Sequence, residues 1–125
     1  VNTKIIFDHF IRMEMRAWKR ARRHGLVYYT DKKVTATAQQ LGWEVKCLEP
    51  KLRLDGVSRF GFVAKFYVRH RGDGDNLEKL LMDALQGVVW TNDEQVDEGM
   101  WTKEYERTEV GVRLTIYVID QEVAK

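Results

Sequence analysis

Two short acidic segments carry the side chains best suited to chemistry, Asp73-Gly74-Asp75-Asn76 and Asn92-Asp93-Glu94-Gln95-Val96. Asp73 and Asp75 flank a glycine, a spacing that lets both carboxylates face one pocket in an extended or turning backbone. Lys79 follows Asp75 by four residues and Asp83 follows Lys79 by four, so on a helix all three project from one face. Asp93 offers a third carboxylate, provided the chain folds back. Convergent hard oxygen ligands beside a lysine suit a magnesium ion and the hydrolysis of a phosphodiester. Magnesium retains waters, takes few carboxylates and lowers the pKa of a bound water. Lys79 would then stabilise negative charge on the phosphate or orient the attacking water. Each feature also has a plainer reading. Acids at a helix start complement its unpaired N–H groups, and Lys79 with its neighbours can form surface ion pairs worth less than about 1 kcal/mol each.

Rival chemistries find less support. An EF-hand would need another ligand where Leu77 stands, and a helical stripe fills the rest of the would-be loop. His9, His24 and His70 are scattered and do not have zinc-site spacing. Ser58 is the only serine and has no acid–base partner nearby in sequence. The lone cysteine, Cys47, has no second cysteine with which to pair and reads as a small buried hydrophobe.

The 125 residues fit one domain, residues 1–125, with a modest core. No stretch approaches the roughly 20 apolar residues of a membrane span, and the N-terminus lacks the pattern of a secretory signal. A cytoplasmic protein is expected. The net charge of +2 hides a strong asymmetry. Residues 1–33 hold nine Lys/Arg against three acids, +6, whereas residues 73–109 hold eleven acids against three Lys/Arg, −8. A nucleic-acid enzyme needs such a separation, phosphates being drawn to one surface and cations to another. A solvated basic helix and a solvated acidic hairpin would show the same charges.

Periodicity supplies the elements that must position these groups. Ile6, Phe10, Met13, Ala17 and Ala21 predict a helix over residues 4–24, with Arg12, Arg16, Lys19, Arg20 and Arg23 as a basic face and Gly25 as its stop. This face either contacts phosphates or is simply solvated. A second helix after Thr30 buries Val34, Ala38, Leu41 and Val45. Residues 59–69 alternate as a strand, and Leu77, Leu80, Leu81, Ala84, Leu85 and Val88 form a helical stripe beginning near Asp75. Residues 92–98 read as a polar turn. Two strands follow, residues 100–107 and 110–119, meeting near Thr108-Glu109. The expected fold is α+β, order roughly ααβαββ, a small largely antiparallel or mixed sheet packed against helices.

The run Asp73-x-Asp75-Asn76-Leu77-x-Lys79-x-x-x-Asp83-Ala84-Leu85, then Asn92-Asp93-x-Gln95-Val96 and a two-strand C-terminus, resembles the RusA family of Holliday junction resolvases of bacteria and their phages. The likeness covers roughly residues 60–119, with a weaker echo at Tyr28-Tyr29-Thr30-Asp31-Lys32-Lys33. It implies a homodimeric endonuclease, dependent on Mg2+ with Mn2+ as a substitute, that nicks two opposed strands of a four-way junction in the cytoplasm of the bacterial host. The matching metal and catalytic carboxylates are Asp73, Asp75 and Asp93, and the matching catalytic lysine is Lys79. Asn76, Asp83 and Gln95 fall at supporting positions. Asn92 departs from the two adjacent acids common in the family. The N-terminus departs too, since family members usually open with an extended strand carrying Pro and Gly.

Arg69, His70 and Arg71 immediately precede the acidic motif and would deliver a phosphate to it. The expected function is therefore a metal-dependent, structure-selective endodeoxyribonuclease of DNA recombination and repair. A less selective branched-DNA nuclease and a catalytically silent DNA-binding protein are the alternatives.

Overall fold

A computed structural model describes residues 2–15, 32–52, 54–69, 76–106 and 108–120. Its elements run β1 (Asn2–Arg12), α1 (Lys32–Leu48), β2 (Arg59–Val68), α2 (Leu77–Leu85), β3 (Val96–Tyr105) and β4 (Gly111–Asp120). The four strands form one sheet in the order β1-β4-β2-β3. β4 pairs antiparallel with β1 and β2, whereas β2 and β3 are parallel. The α+β class and the mixed, largely antiparallel sheet packed by helices are as expected, with a strand leading the order.

That leading strand corrects one expectation. Residues 2–15 are not helical; the remainder of the expected helix, residues 16–24 with Arg16, Lys19, Arg20 and Arg23, lies outside the described residues. The physical reason is a register shift between Ile5 and Phe7, where Ile5 faces Tyr117 and Phe7 faces Ile116 on β4. One extra residue resets the two-residue alternation there, and the helix-like spacing of Ile6, Phe10 and Met13 mixes the two faces of the chain, Ile6 and Phe10 being half-buried on one and Met13 buried on the other. Phe7 and Ile11 are buried, and Ile5 is exposed.

β2 is the spine of the core. Phe60, Phe62, Ala64, Phe66 and Val68 are buried, and they share one cluster with Leu114 and Ile116 of β4, Leu41 and Val45 of α1, and the α2 stripe. That stripe, Leu77, Leu80, Leu81, Ala84 and Leu85, is the predicted one. On α1, Ala38, Leu41 and Val45 pack inward as expected, but Cys47 is exposed.

The two C-terminal strands do not form a hairpin. β3 lies on the far side of β2 from β4, so their connection passes over the end of β2, where the Glu106 N–H donates to the Val68 carbonyl (2.9 Å). β3 also begins at Val96, inside the stretch expected to be a turn. It is an edge strand with most residues exposed, so no apolar alternation announces its start. No helix among the described residues is long and apolar enough to cross a membrane.

Candidate active site

The connection from β2 to β3 carries both acidic segments. It leaves β2 through residues 70–75, forms α2, and returns through a tight turn to Asn92-Asp93-Glu94-Gln95. Asp73 and Asp75, with His70 and Arg71, lie outside the described residues. Asn76 opens α2 in the left-handed conformation (φ 58°, ψ 32°), and its side chain makes no capping bond. Asparagine tolerates this region better than most residues, which accounts for its place at the helix start. Lys79 and Asp83 are both exposed, one helical turn apart on α2. They therefore share the face read from their spacing.

Beyond α2 the chain folds tightly around Trp90. The Val89 N–H donates to the Leu85 carbonyl (2.8 Å) and the Gly87 N–H to the Trp90 carbonyl (2.7 Å), with Gly87 at φ 86°. Trp90 is completely buried, and a buried indole N–H needs an acceptor. It finds Asp93: Trp90 Nε1 donates to Asp93 Oδ1 at 3.1 Å. The Gln86 carboxamide, with its nitrogen turned inward, places that nitrogen 3.1 and 3.2 Å from the two Asp93 oxygens. Asp93 is thus a half-buried carboxylate oriented by two neutral donors, with acceptor capacity left over.

The 3-10 helix Asp93–Gln95 presenting this carboxylate is itself braced. Asn92 caps it, its side chain accepting from the Glu94 N–H at 2.9 Å. Gln95 is buried and accepts from the Thr91 N–H (2.9 Å), the Thr91 hydroxyl (2.7 Å) and the Asn92 N–H (3.2 Å), while its nitrogen donates to the Ser58 carbonyl (2.9 Å). Arg59 at the start of β2 donates to the Glu94 carbonyl (2.6 Å) and grips Asp97. The Asp97 side-chain bond holds the guanidinium above its ordinary pKa, and the same bond holds the Asp97 carboxyl below the usual carboxylate range. Asn92, where the resemblance led one to expect an acid, is therefore a cap, a task asparagine and aspartate perform about equally well.

The described residues thus bring together Asp93, Gln86, Trp90 and Gln95 at the C-terminal end of α2, with Lys79 and Asp83 along its exposed face. Lys79 and Gln86 are separated by about 10 Å of helical rise. Among the described residues no group of three or more His, Cys, Asp or Glu could hold a metal ion; the proposed set needs Asp73 and Asp75 beside Asp93. The donor chemistry of that set, carboxylate oxygen only, suits a hard cation. Arg69, at the end of β2, forms an ion pair with Glu14 (2.9 Å), about half exposed on both sides. An exposed pair of this kind is worth little, so a phosphate could displace Glu14. His9 is bound to Glu49 (3.0 Å).

Sequence spacing missed Trp90, Gln86 and Arg59. Only Trp90 left a usable signal, a tryptophan at the end of an apolar run three residues before an aspartate.

No curated protein matches the chain. A family model described as endodeoxyribonuclease RusA matches residues 10–117. That span takes in β2, both acidic segments, the braced Asp93 turn and most of β4, and it shows that this chain belongs to the RusA family of endodeoxyribonucleases.

Proposed function

We propose that the protein resolves Holliday junctions as a metal-dependent homodimer, cutting two opposed strands of a four-way DNA junction. The observation that carries this reading is the match of the endodeoxyribonuclease RusA model to residues 10–117, a span that holds both acidic segments and the turn in which Trp90 and Gln86 hold the Asp93 carboxylate. Asp73, Asp75 and Asp93 are the proposed ligands of Mg2+, for which Mn2+ can substitute. When bound, the ion supplies a water of lowered pKa and neutralises charge on the phosphate.

The chain's own residues do the positioning. Trp90 and Gln86 donate to Asp93 and fix which of its lone pairs remain available. Gln95 and Asn92 hold the backbone of its turn. The Lys79 ammonium donates to a non-bridging phosphate oxygen as negative charge builds there. Arg69, with His70 and Arg71, draws the backbone phosphate toward the acids. Two nicks call for two such sites, one on each subunit.

A synthetic four-way junction tests the reading. The wild-type protein should make symmetric paired nicks with Mg2+, none after chelation, and recover with Mn2+. Asp75→Asn should abolish cleavage while leaving junction binding largely intact; retained cleavage would sink the assignment of Asp75. Scattered cuts would identify a less selective branched-DNA nuclease, and a gel shift without cleavage a silent binding protein.

A further inference from the structure

The two helices leave a groove between them that the proposed chemistry does not use. It encloses about 450 Å³ and is lined by Thr35, Gln39, Trp43 and Lys46 of α1 and by Asp83 and Gln86 of the α2 side. Its floor is set by Gly42. A β-carbon there would lie 2.7 Å from the Ala84 carbonyl oxygen and 3.3 Å from Val88 Cγ2, so only glycine lets the helices approach this closely. Trp43 stands at the rim with 65% of its surface exposed, although large aromatics generally gain by burial.

We infer that this groove accepts a single unstacked nucleobase of the DNA, with Trp43 as its stacking platform. Four observations converge on that occupant. The volume falls within the range of small-ligand sites. A free indole face stacks on any base. The Gln39 amide, the Thr35 hydroxyl and the Asp83 carboxylate offer the donors and acceptors that base edges require, and the Lys46 ammonium suits the attached phosphate. The groove is also continuous with the candidate active site, since Asp83 shares the exposed face of α2 with Lys79 and Gln86 reaches from the groove wall to Asp93. A base held there would hold its strand against the acidic site. A four-way junction supplies such bases where its arms exchange strands, so the inference rests on the proposed nuclease reading for the source of the DNA.

The test uses the full chain in Ca2+ in place of Mg2+, with labelled four-way junctions that are intact or lack one base at each position around the branch point. Trp43→Ala should weaken binding to the intact junction about tenfold, and Trp43→Phe should restore most of it. Removing the base that occupies the groove should weaken wild-type binding by a similar factor and leave Trp43→Ala no worse. Thermal unfolding of the variants should match wild type, because Trp43 is exposed. Unchanged binding by Trp43→Ala, or equal sensitivity of both proteins to every missing base, overturns the groove assignment and leaves the resolvase reading standing. Failure of the wild-type protein to bind any junction overturns the resolvase reading instead. The groove is then decided on single-stranded DNA, where binding that depends on Trp43 supports it and binding indifferent to Trp43 refutes it.

Discussion

At the scale of single residues, the site turns on how one carboxylate is held. Asp93 accepts from a buried indole and from an amide at the end of α2, and partners behind a metal ligand, the role proposed for Asp93, commonly control metal affinity and activity by about 10- to 100-fold. Trp90→Phe keeps most of the buried ring and removes only the N–H. Its expected effect is a roughly tenfold fall in single-turnover cleavage, a rise in the Mg2+ concentration for half-maximal rate, and little change in junction affinity. A residue that merely filled the core would lower the melting temperature without moving the Mg2+ dependence, so the two measurements together decide the role. Asp83, Gln95 and Asn76 were legible as accompaniments of the motif, but their tasks were not. Gln95 bonds Thr91, Asn92 and Ser58 at once, and the Ser58 contact spans 37 residues of chain.

At the scale of elements, period and composition identified β2, α1 and α2 because each buries a regular face. They missed β1 and misplaced the start and the pairing of β3, for two different physical reasons. In β1 a register shift broke the alternation. In β3 an edge position removed the need to bury either face, and a parallel partner gave no turn signature to mark its pairing. α2 carries its own prediction. Asn76 enters it at φ 58°, a region that costs a β-branched residue about 1–2 kcal/mol. Asn76→Val should therefore lower stability by about that amount in denaturant titration, whereas Asn76→Gly should leave it nearly unchanged. Equal losses for both variants would show that the Asn76 side chain, not its backbone, holds the helix start.

At the scale of the whole molecule, the β2–β3 pair is clamped at the end nearest Asp93 by Arg59 and Asp97. The bond from Arg59 depresses the Asp97 pKa. A group with a depressed folded-state pKa contributes stability above its unfolded value, about 3.9 for aspartate, and loses it as the pH falls through the folded value. Melting temperatures of wild type and Asp97→Asn should thus differ near neutral pH and converge as the pH falls below the ordinary aspartate value and through the lower folded-state one. Curves that stay parallel across that range would show that the ion pair contributes nothing specific. The same clamp ties global stability to the loop that presents Asp93, since Arg59 also holds the Glu94 carbonyl.

The sequence by itself pointed to the family, which the family model bears out, and proposed the carboxylate chemistry. Carboxylates, a lysine and their spacing along one helix are local properties, and the Asp73 to Val96 run was specific enough to imply the fold class that the structure bears out. Tertiary structure alone decided what surrounds Asp93, why Asn92 can stand beside it, and that α1 and α2 leave a groove with Trp43 at its rim. Those features depend on contacts between residues far apart in the chain, and hydrophobic period reports only which face of an element is buried, not what it is buried against. The N-terminal strand marks the same boundary, because its place beside β4 is settled by pairing with residues more than a hundred positions away.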